Sequence, residues 1–369
     1  MRQRDQLMSA SILAVGMATA LGLDWPTSCA ASRAGIRRAL RLDYFPVQGL
    51  HAGDVQLCAA HSVELLTRGF EGYGRLVRLL SGAMRDLKNQ HQKLEEWSSE
   101  SLYMALPDFQ AGLSHATENG AVAILSPYSL VDSAARLAGW PQTPPLAFFS
   151  TAGQAGVTQV IDTALRDLSN GTTCRAIIGA VDSLLDADSL SALLLAGRLK
   201  HSGVAAGLIP GEAGVLILLN KARSSRDLGR IQATAICRDE KSGREGEVSW
   251  GEGLLDVMAG LQTEEKNWPA DDVPWIVSDQ NGEPGRASEW GHALVRLRRK
   301  TASFAKAAFL LPAMAFGDTR AASSALGIGL VTAAWRRGYA VSTRCAVIAA
   351  SDGALRAGIL LSAPEVSRG

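Results

Sequence analysis

Six histidines and five cysteines are the side chains best suited to catalysis or metal binding in this chain, and neither set clusters. Cys29, Cys58, Cys174, Cys237 and Cys345 lie far apart with no CxxC or other metal-ligand spacing, so neither a metal nor a cofactor is expected. They read as reduced, mostly buried thiols of a cytoplasmic protein. Cys174 falls between a helix and a strand with no histidine nearby, and reads as a structural thiol; Cys29 reads as packed in the first helix. His51, His61, His91, His115, His201 and His292 sit among polar neighbours or at segment ends and read as surface or loop residues, a recruited base being the sharper alternative. Asp279 and Glu289 offer an acid/base pair, yet the Asn281-Gly282 that follows Asp279 indicates a turn.

The elements that would position these residues alternate between short apolar runs and amphipathic stretches. Ser11 to Leu23 follows two arginines and superficially imitates a signal peptide, but reads better as a buried strand, a Gly-rich turn and a helix start near Trp25-Pro26-Thr27. Helical spacing continues from Ser28 to Leu40, and Tyr44-Phe45-Pro46 is expected to end it. From His61 to Trp97, apolar residues recur as in long amphipathic helices interrupted at Gly69, Gly72 and Gly74. Ala121 to Leu125, Leu146 to Phe149, Arg175 to Asp182 and Gly214 to Asn220 read as strands, with helices over Val157 to Leu168 and Leu190 to Leu199.

Ser224 to Gly229 is polar and punctuated, the expected seam between two halves, residues 1–224 and 225–369, with a helical insertion at about 50–110 in the first. A second series follows: a strand at Ile231 to Cys237, a charged loop from Arg238 to Gly246, a helix near Leu254 to Leu261 and a strand at Trp275 to Ser278. A small-residue helix from Ala321 to Arg336 precedes strands at Cys345 to Ala350 and Ala357 to Leu361. This alternation predicts a layered α/β protein of two similar halves. The 37 basic and 36 acidic residues leave a net charge of +1, which gives no long-range field for nucleic acid or an anionic membrane surface. No later run reaches the ~18 apolar residues of a membrane span.

Three stretches carry a family likeness. Gly179-Ala-Val-Asp-Ser-Leu-Leu-Asp186, with Gly197-Arg-Leu-Lys200 and Gly207-Leu-Ile-Pro-Gly-Glu-Ala-Gly-Val-Leu-Ile-Leu-Leu219, resembles the central block of β-ketoacyl synthases. Ala14-Val-Gly-Met-Ala-Thr-Ala-Leu-Gly22 resembles their first strand and turn, and Gly317-Asp-Thr-Arg-Ala-Ala-Ser323 their Gly-His-Thr-Leu-Gly-Ala-Ala-Gly segment. The resemblance implies a thiolase-like fold, two α/β halves in a five-layer αβαβα arrangement, usually in a dimer. Asp182 and Glu212, within the structural block, are expected to hold loops by hydrogen bonding.

By the same resemblance, a nucleophilic cysteine belongs where a strand turns into a buried helix, whose N-terminus stabilises the thiolate. Here that turn is Thr151-Ala-Gly-Gln-Ala-Gly156. Matching Thr-Ala puts Gly153 at the nucleophile's place; matching the following helix through Ala164, Arg166, Leu168 and Gly171 puts Gln154 there. Two family histidines that stabilise an enolate are also replaced: the first falls in Ser278-Asp279-Gln-Asn-Gly-Glu283, the second at Asp318. The family lysine falls at or near Pro312, and the closing Asn-x-Phe-Gly-Phe-Gly-Gly turn reads Ala350-Ser-Asp-Gly-Ala-Leu-Arg356.

These replacements imply a non-catalytic subunit of the chain length factor type, with no catalytic residue of its own. Its expected partners are an active ketosynthase, as a heterodimer, and an acyl carrier protein, in polyketide or fatty-acid-like biosynthesis; a homodimer is an alternative. Two other readings stand beside it: a scaffold or adaptor reusing the thiolase-like dimer, and an acyltransferase or malonyl decarboxylase with relocated residues. The basic run Arg296, Arg298, Arg299 and Lys300 reads as a solvated helix face or a patch for the acidic carrier protein.

Overall fold

Apolar runs buried on both faces build the sheet that carries the molecule. The computed structural model describes residues 9–49, 51, 53–91, 100–108, 126–224, 226–242, 249–261 and 273–365. Its strands are β1 (Ala10–Thr19), β2 (Leu40–Gln48), β3 (Val55–Ala60), β4 (Glu100–Ala105), β5 (Leu146–Ser150), β6 (Arg175–Ser183) and β7 (Glu212–Asn220), then β8 (Gly229–Arg238), β9 (Trp275–Ser278), β10 (Ala308–Leu310), β11 (Arg344–Ala350) and β12 (Leu355–Ser362). The first half has the order β1-β7-β6-β4-β5 and the second the order β8-β12-β11-β9-β10. In each, the first three strands are antiparallel and the last two join in parallel. The halves meet where β1 and β8 pair antiparallel through Ala10↔Ile231, Ser11↔Arg230 and Ile12↔Gly229.

The helices are α1 (Trp25–Arg33), α2 (Glu64–Thr67), α3 (Gly72–Gln90), α4 (Pro127–Leu137), α5 (Gly156–Asn170), α6 (Ala187–Leu195), α7 (Glu252–Leu261), α8 (Pro284–Lys300), α9 (Ala313–Phe316) and α10 (Ser323–Arg337). Alternation along β1 sorts its side chains. Ile12, Val15 and Met17 join a central core with Val157 and Ile161 of α5 and Leu326, Ile328 and Val331 of α10, while Ala14 and Ala18 face Leu79 and Leu80 of α3. On the far side, Leu254 and Val257 of α7 and Trp290 of α8 cover Ile276, Ile348 and Leu360. Helices, sheet, helices, sheet and helices follow one another, the thiolase-like arrangement.

The middle layer is the most demanding. Every residue of α10 from Ser323 to Ala334 is buried, and each of its Leu, Ile and Val side chains contributes about 1.5–3 kcal/mol by leaving water. At Gly329 a Cβ would meet the terminal methyl of Met17, which would have to shift to admit it.

Three expectations are corrected. The first helix stops at Arg33, and Tyr44-Phe45-Pro46 lies inside β2, which pairs with β3 in a separate two-stranded sheet where a proline's missing donor is tolerated. Gly72 and Gly74 do not interrupt a helix but lie in α3. Most of the stretch 50–110 is no insertion: α3 packs on β1 and β7 as α7 packs on β8 and β12, and β4 sits inside the sheet. The strand expected at Ala121 to Leu125 lies outside the described residues, as does part of the loop Arg238 to Gly246. Cys29, Cys58 and Cys345 are buried and Cys237 is half-buried, but Cys174 is exposed rather than packed.

Candidate functional site

Five connections converge at one end of the central helix layer: the β5–α5 turn, the 278–283 loop after β9, the 317–322 turn before α10, the β11–β12 turn, and the 197–211 segment. Gly153, Gln154 and Ala155 form a 3-10 turn that leads straight into α5. Gly153 has φ +59, a backbone conformation that favours glycine, and Gln154 is buried. Ser351 of the β11–β12 turn staples this turn: its Oγ accepts from the Ala155 amide at 3.1 Å and donates to the Ala152 carbonyl. From α10, the Ser324 hydroxyl donates to the Gln154 carbonyl at 3.2 Å.

The two positions expected to have lost histidines hold buried carboxylates that are bonded elsewhere. Asp318 accepts from Asn281 Nδ2 at 2.6 Å and from the Arg320 amide at 2.9 Å, while its backbone bridges Ile209 and Gly211. Ser278 is fully buried, and its Oγ accepts from the Gln280 amide at 3.3 Å. Asp279 does not make the turn; it is buried and accepts from Arg286 Nη1 at 2.8 Å and from the Ala350 amide at 2.7 Å. Burial pushes its carboxyl up from 3.8 to about 6, against the pull of Arg286.

Around these positions runs an ion network that the sequence reading did not find. Arg198 grips Glu283 with Nε at 2.6 Å and Nη2 at 2.9 Å, and reaches Asp352 at 2.9 and 3.0 Å. Arg286 bonds Asp279, the Ala350 carbonyl and, at 2.8 Å, Asp352 Oδ1. Arg320 lies 3.7 Å from Asp352. Burial works against the Asp352 and Glu283 charges, but the hydrogen bonds from Arg198 together with the Arg198 and Arg286 charges, joined by Arg320 at Asp352 and by Asn281 at Glu283, outweigh it and hold both carboxyls below their usual range. The only signal in the sequence was the Gly197-Arg-Leu-Lys200 block, which marks Arg198 but not its partners.

The structural block surrounds a second buried charge. Glu212 is fully buried and accepts from Ser62, Val63, Thr67, Arg75 and Ser183. Asp182 accepts from the Ser183 and Ala321 amides, tying β6 to the start of α10, and burial raises its carboxyl from 3.8 to about 7. Glu289 is held by both ends of the Arg356 guanidinium at 2.6 and 3.1 Å, which excludes the acid/base pairing with Asp279. His61 is a buried residue rather than a surface one, its ring pushed down to about 4 by burial and by Arg37. Arg298, Arg299 and Lys300 are exposed on the last turn of α8. No cluster of three or more metal-ligating side chains occurs among the described residues.

Chemically, the turn offers no nucleophilic thiol, and Asp279 and Asp318 are carboxylate acceptors engaged by Arg286 and Asn281. Arg198 and Arg286 are each hydrogen-bonded to two carboxylates, while Arg320 only approaches Asp352 at 3.7 Å.

Comparison with solved structures agrees with the architecture: the fold is that of the thiolase-like ketosynthases. The ishigamide ketosynthase/chain length factor matches with TM-score 0.73 at 13% identity over 96% of this chain and 99% of that one. A ketosynthase in complex with its chain length factor from Xenorhabdus doucetiae matches with TM-score 0.68 at 14% identity, over 98% and 100%. The ketosynthase from module 6 of the bacillaene synthase from Bacillus subtilis 168 matches with TM-score 0.71 at 13% identity, over 97% of this chain and 73% of its own. No protein-family model and no curated protein sequence matches the chain. No described helix is long and apolar enough to cross a membrane.

Proposed function

We propose that this chain is a non-catalytic ketosynthase-like subunit, of the chain length factor type, that pairs with an active ketosynthase and works beside an acyl carrier protein. The observation that supports the reading is the β5–α5 turn itself, which holds Gly153 and buried Gln154 and no cysteine, one of these two falling by the resemblance at the nucleophile's place. Asp279 in the Ser278 loop and Asp318, which by the resemblance fall where the family has histidines, are each engaged by the surrounding network. A malonyl group brought to this turn would meet no thiolate, and a carboxylate at Asp279 or Asp318 would oppose the charge of its enolate. Incubating the purified protein with malonyl carrier protein is expected to give neither an acyl adduct by mass spectrometry nor carbon dioxide. Either product overturns the non-catalytic reading.

Pairing is supported by the edge of β5, along whose outer side no described strand pairs. It is the terminal strand of the first half, and Ala147, Phe148 and Phe149 are exposed along it. Such an edge offers unpaired backbone groups beside apolar surface, which is how a second chain adds to a sheet. Co-expressed with the cysteine-bearing ketosynthase of its own cell, the chain is expected to copurify in equal amount. Phe148→Asp, a change at an exposed side chain, is expected to release the partner while leaving the circular dichroism spectrum unchanged. A clean homodimer that ignores every such ketosynthase sinks the proposal.

A further inference from the structure

At the opposite end of α10 from Gln154, a cavity of about 570 Å³ opens between α1 and the last turn of α10. That volume lies within the range of small-molecule sites, roughly 300–1,000 Å³. Its floor is apolar and closed to hydrogen bonding. Trp25, Cys29 and Ala333 are buried there, and both polar groups of that wall are already occupied: Trp25 Nε1 donates to the Gly329 carbonyl at 2.8 Å and the Cys29 thiol lies 3.6 Å from the same oxygen. Burial raises the thiol to about 12, so it carries no charge at neutral pH.

The rim has the opposite character. Arg33, Arg336 and Arg337 line the mouth and are exposed. Arg33 stacks over Tyr339 at 3.8 Å and Arg336 over Trp25 at 5.4 Å, so aromatic faces hold two of these guanidiniums in place. No described carboxylate pairs with any of the three. Elsewhere among the described residues, the buried arginines Arg75, Arg286 and Arg356 have carboxylate partners, and the fourth, Arg230, donates to the Ser9 and Ser11 hydroxyls. Cations in the last turn of α1 and of α10 do oppose the two helix dipoles, but that explains a charge at each helix end and not a cavity between them.

We propose that this cavity binds a single-chain amphipathic anion, its apolar tail on the Trp25–Cys29–Ala333 floor and a carboxylate or phosphate monoester head between Arg33, Arg336 and Arg337. A polar body would lose its water without gaining partners on that floor, and a neutral head would leave the three cations unpaired. None of the residues lining the site belongs to the β5–α5 turn.

Isothermal titration of the full chain with decanoate, decyl phosphate, decanol and acetate tests it. Decanoate or decyl phosphate, whichever head the rim prefers, is expected to bind in the micromolar range; decanol and acetate are expected to bind at least about tenfold more weakly, since each lacks one half of the recognition. Arg33→Ala/Arg336→Ala, changes at exposed positions, is expected to weaken the anion about tenfold or more, and Ala30→Trp, which fills the mouth, to abolish binding. Gln154→Ala is expected to leave it unchanged. Equal binding of decanol and decanoate, binding indifferent to the arginine and Ala30 variants, or no binding of either amphipathic anion overturns the proposal.

Discussion

Replacing Arg286 with methionine is expected to destabilise the native state by about 3–5 kcal/mol at neutral pH, read as a shift of the urea unfolding midpoint. Arg286 is buried and holds Asp279 and Asp352 by hydrogen bonds of 2.8 Å each. Without it, Asp279 keeps only the Ala350 amide as a partner. Its carboxyl, already raised by burial to about 6 with the cation present, moves higher still. A carboxyl whose folded-state pKa lies above its unfolded value of 3.8 favours the native state only while protonated. The loss in the variant is therefore largest above pH 7 and shrinks as pH falls towards 4. A loss that is the same at both ends of that window, or below about 1 kcal/mol throughout, contradicts the role assigned to this pair.

Arg75→Met is expected to have an effect of the same size, about 3–5 kcal/mol, at the other buried charge. Arg75 Nη1 lies 2.8 Å from Glu212 Oε2, and Glu212 has no exposed surface. The carboxylate would keep its hydroxyl and amide donors from Ser62, Val63, Thr67 and Ser183 but no cation. Adding Glu212→Gln to Arg75→Met removes the stranded charge and is expected to recover part of the loss, whereas Glu212→Gln alone strands Arg75 and costs stability in turn. If the double variant is as unstable as the sum of the singles, packing rather than charge governs the site. The pair bears on the candidate site because Gly211, next to Glu212, is bonded to the Asp318 carbonyl.

The frame was legible because its strands are short apolar runs and its helices have one wet face or none. β1, β6, β7, β9, β11 and β12 follow from such runs, and Asn170-Gly171 ends α5 in the left-handed conformation that glycine favours. The β2–β3 hairpin was not legible: Leu40 to Gln48 has a proline and charged residues where a strand is expected to alternate, and only a partner strand makes it one. At the site, flanking residues singled out the Gly153-Gln154 turn, the Ser278 to Glu283 loop and Asp318, and the fold links these segments through Ser351, Ala350 and Asn281. The network could not, since Arg198 meets Glu283 85 residues and Asp352 154 residues away. Pairings of that kind belong to the folded state and leave no local period.

The seam between the halves also constrains how the molecule is made. β1 is synthesised well ahead of both its neighbours, since one side of it pairs with β7, from Thr19↔Ala213 onward, and the other with β8 through Ala10↔Ile231. At about 5–20 residues per second, a ribosome needs on the order of 10–40 s to supply those partners. Through that interval Ile12, Val15 and Met17 have no sheet to join. The nascent chain is thus an apolar strand waiting on both edges, and shielding it during translation is a requirement written into the strand order.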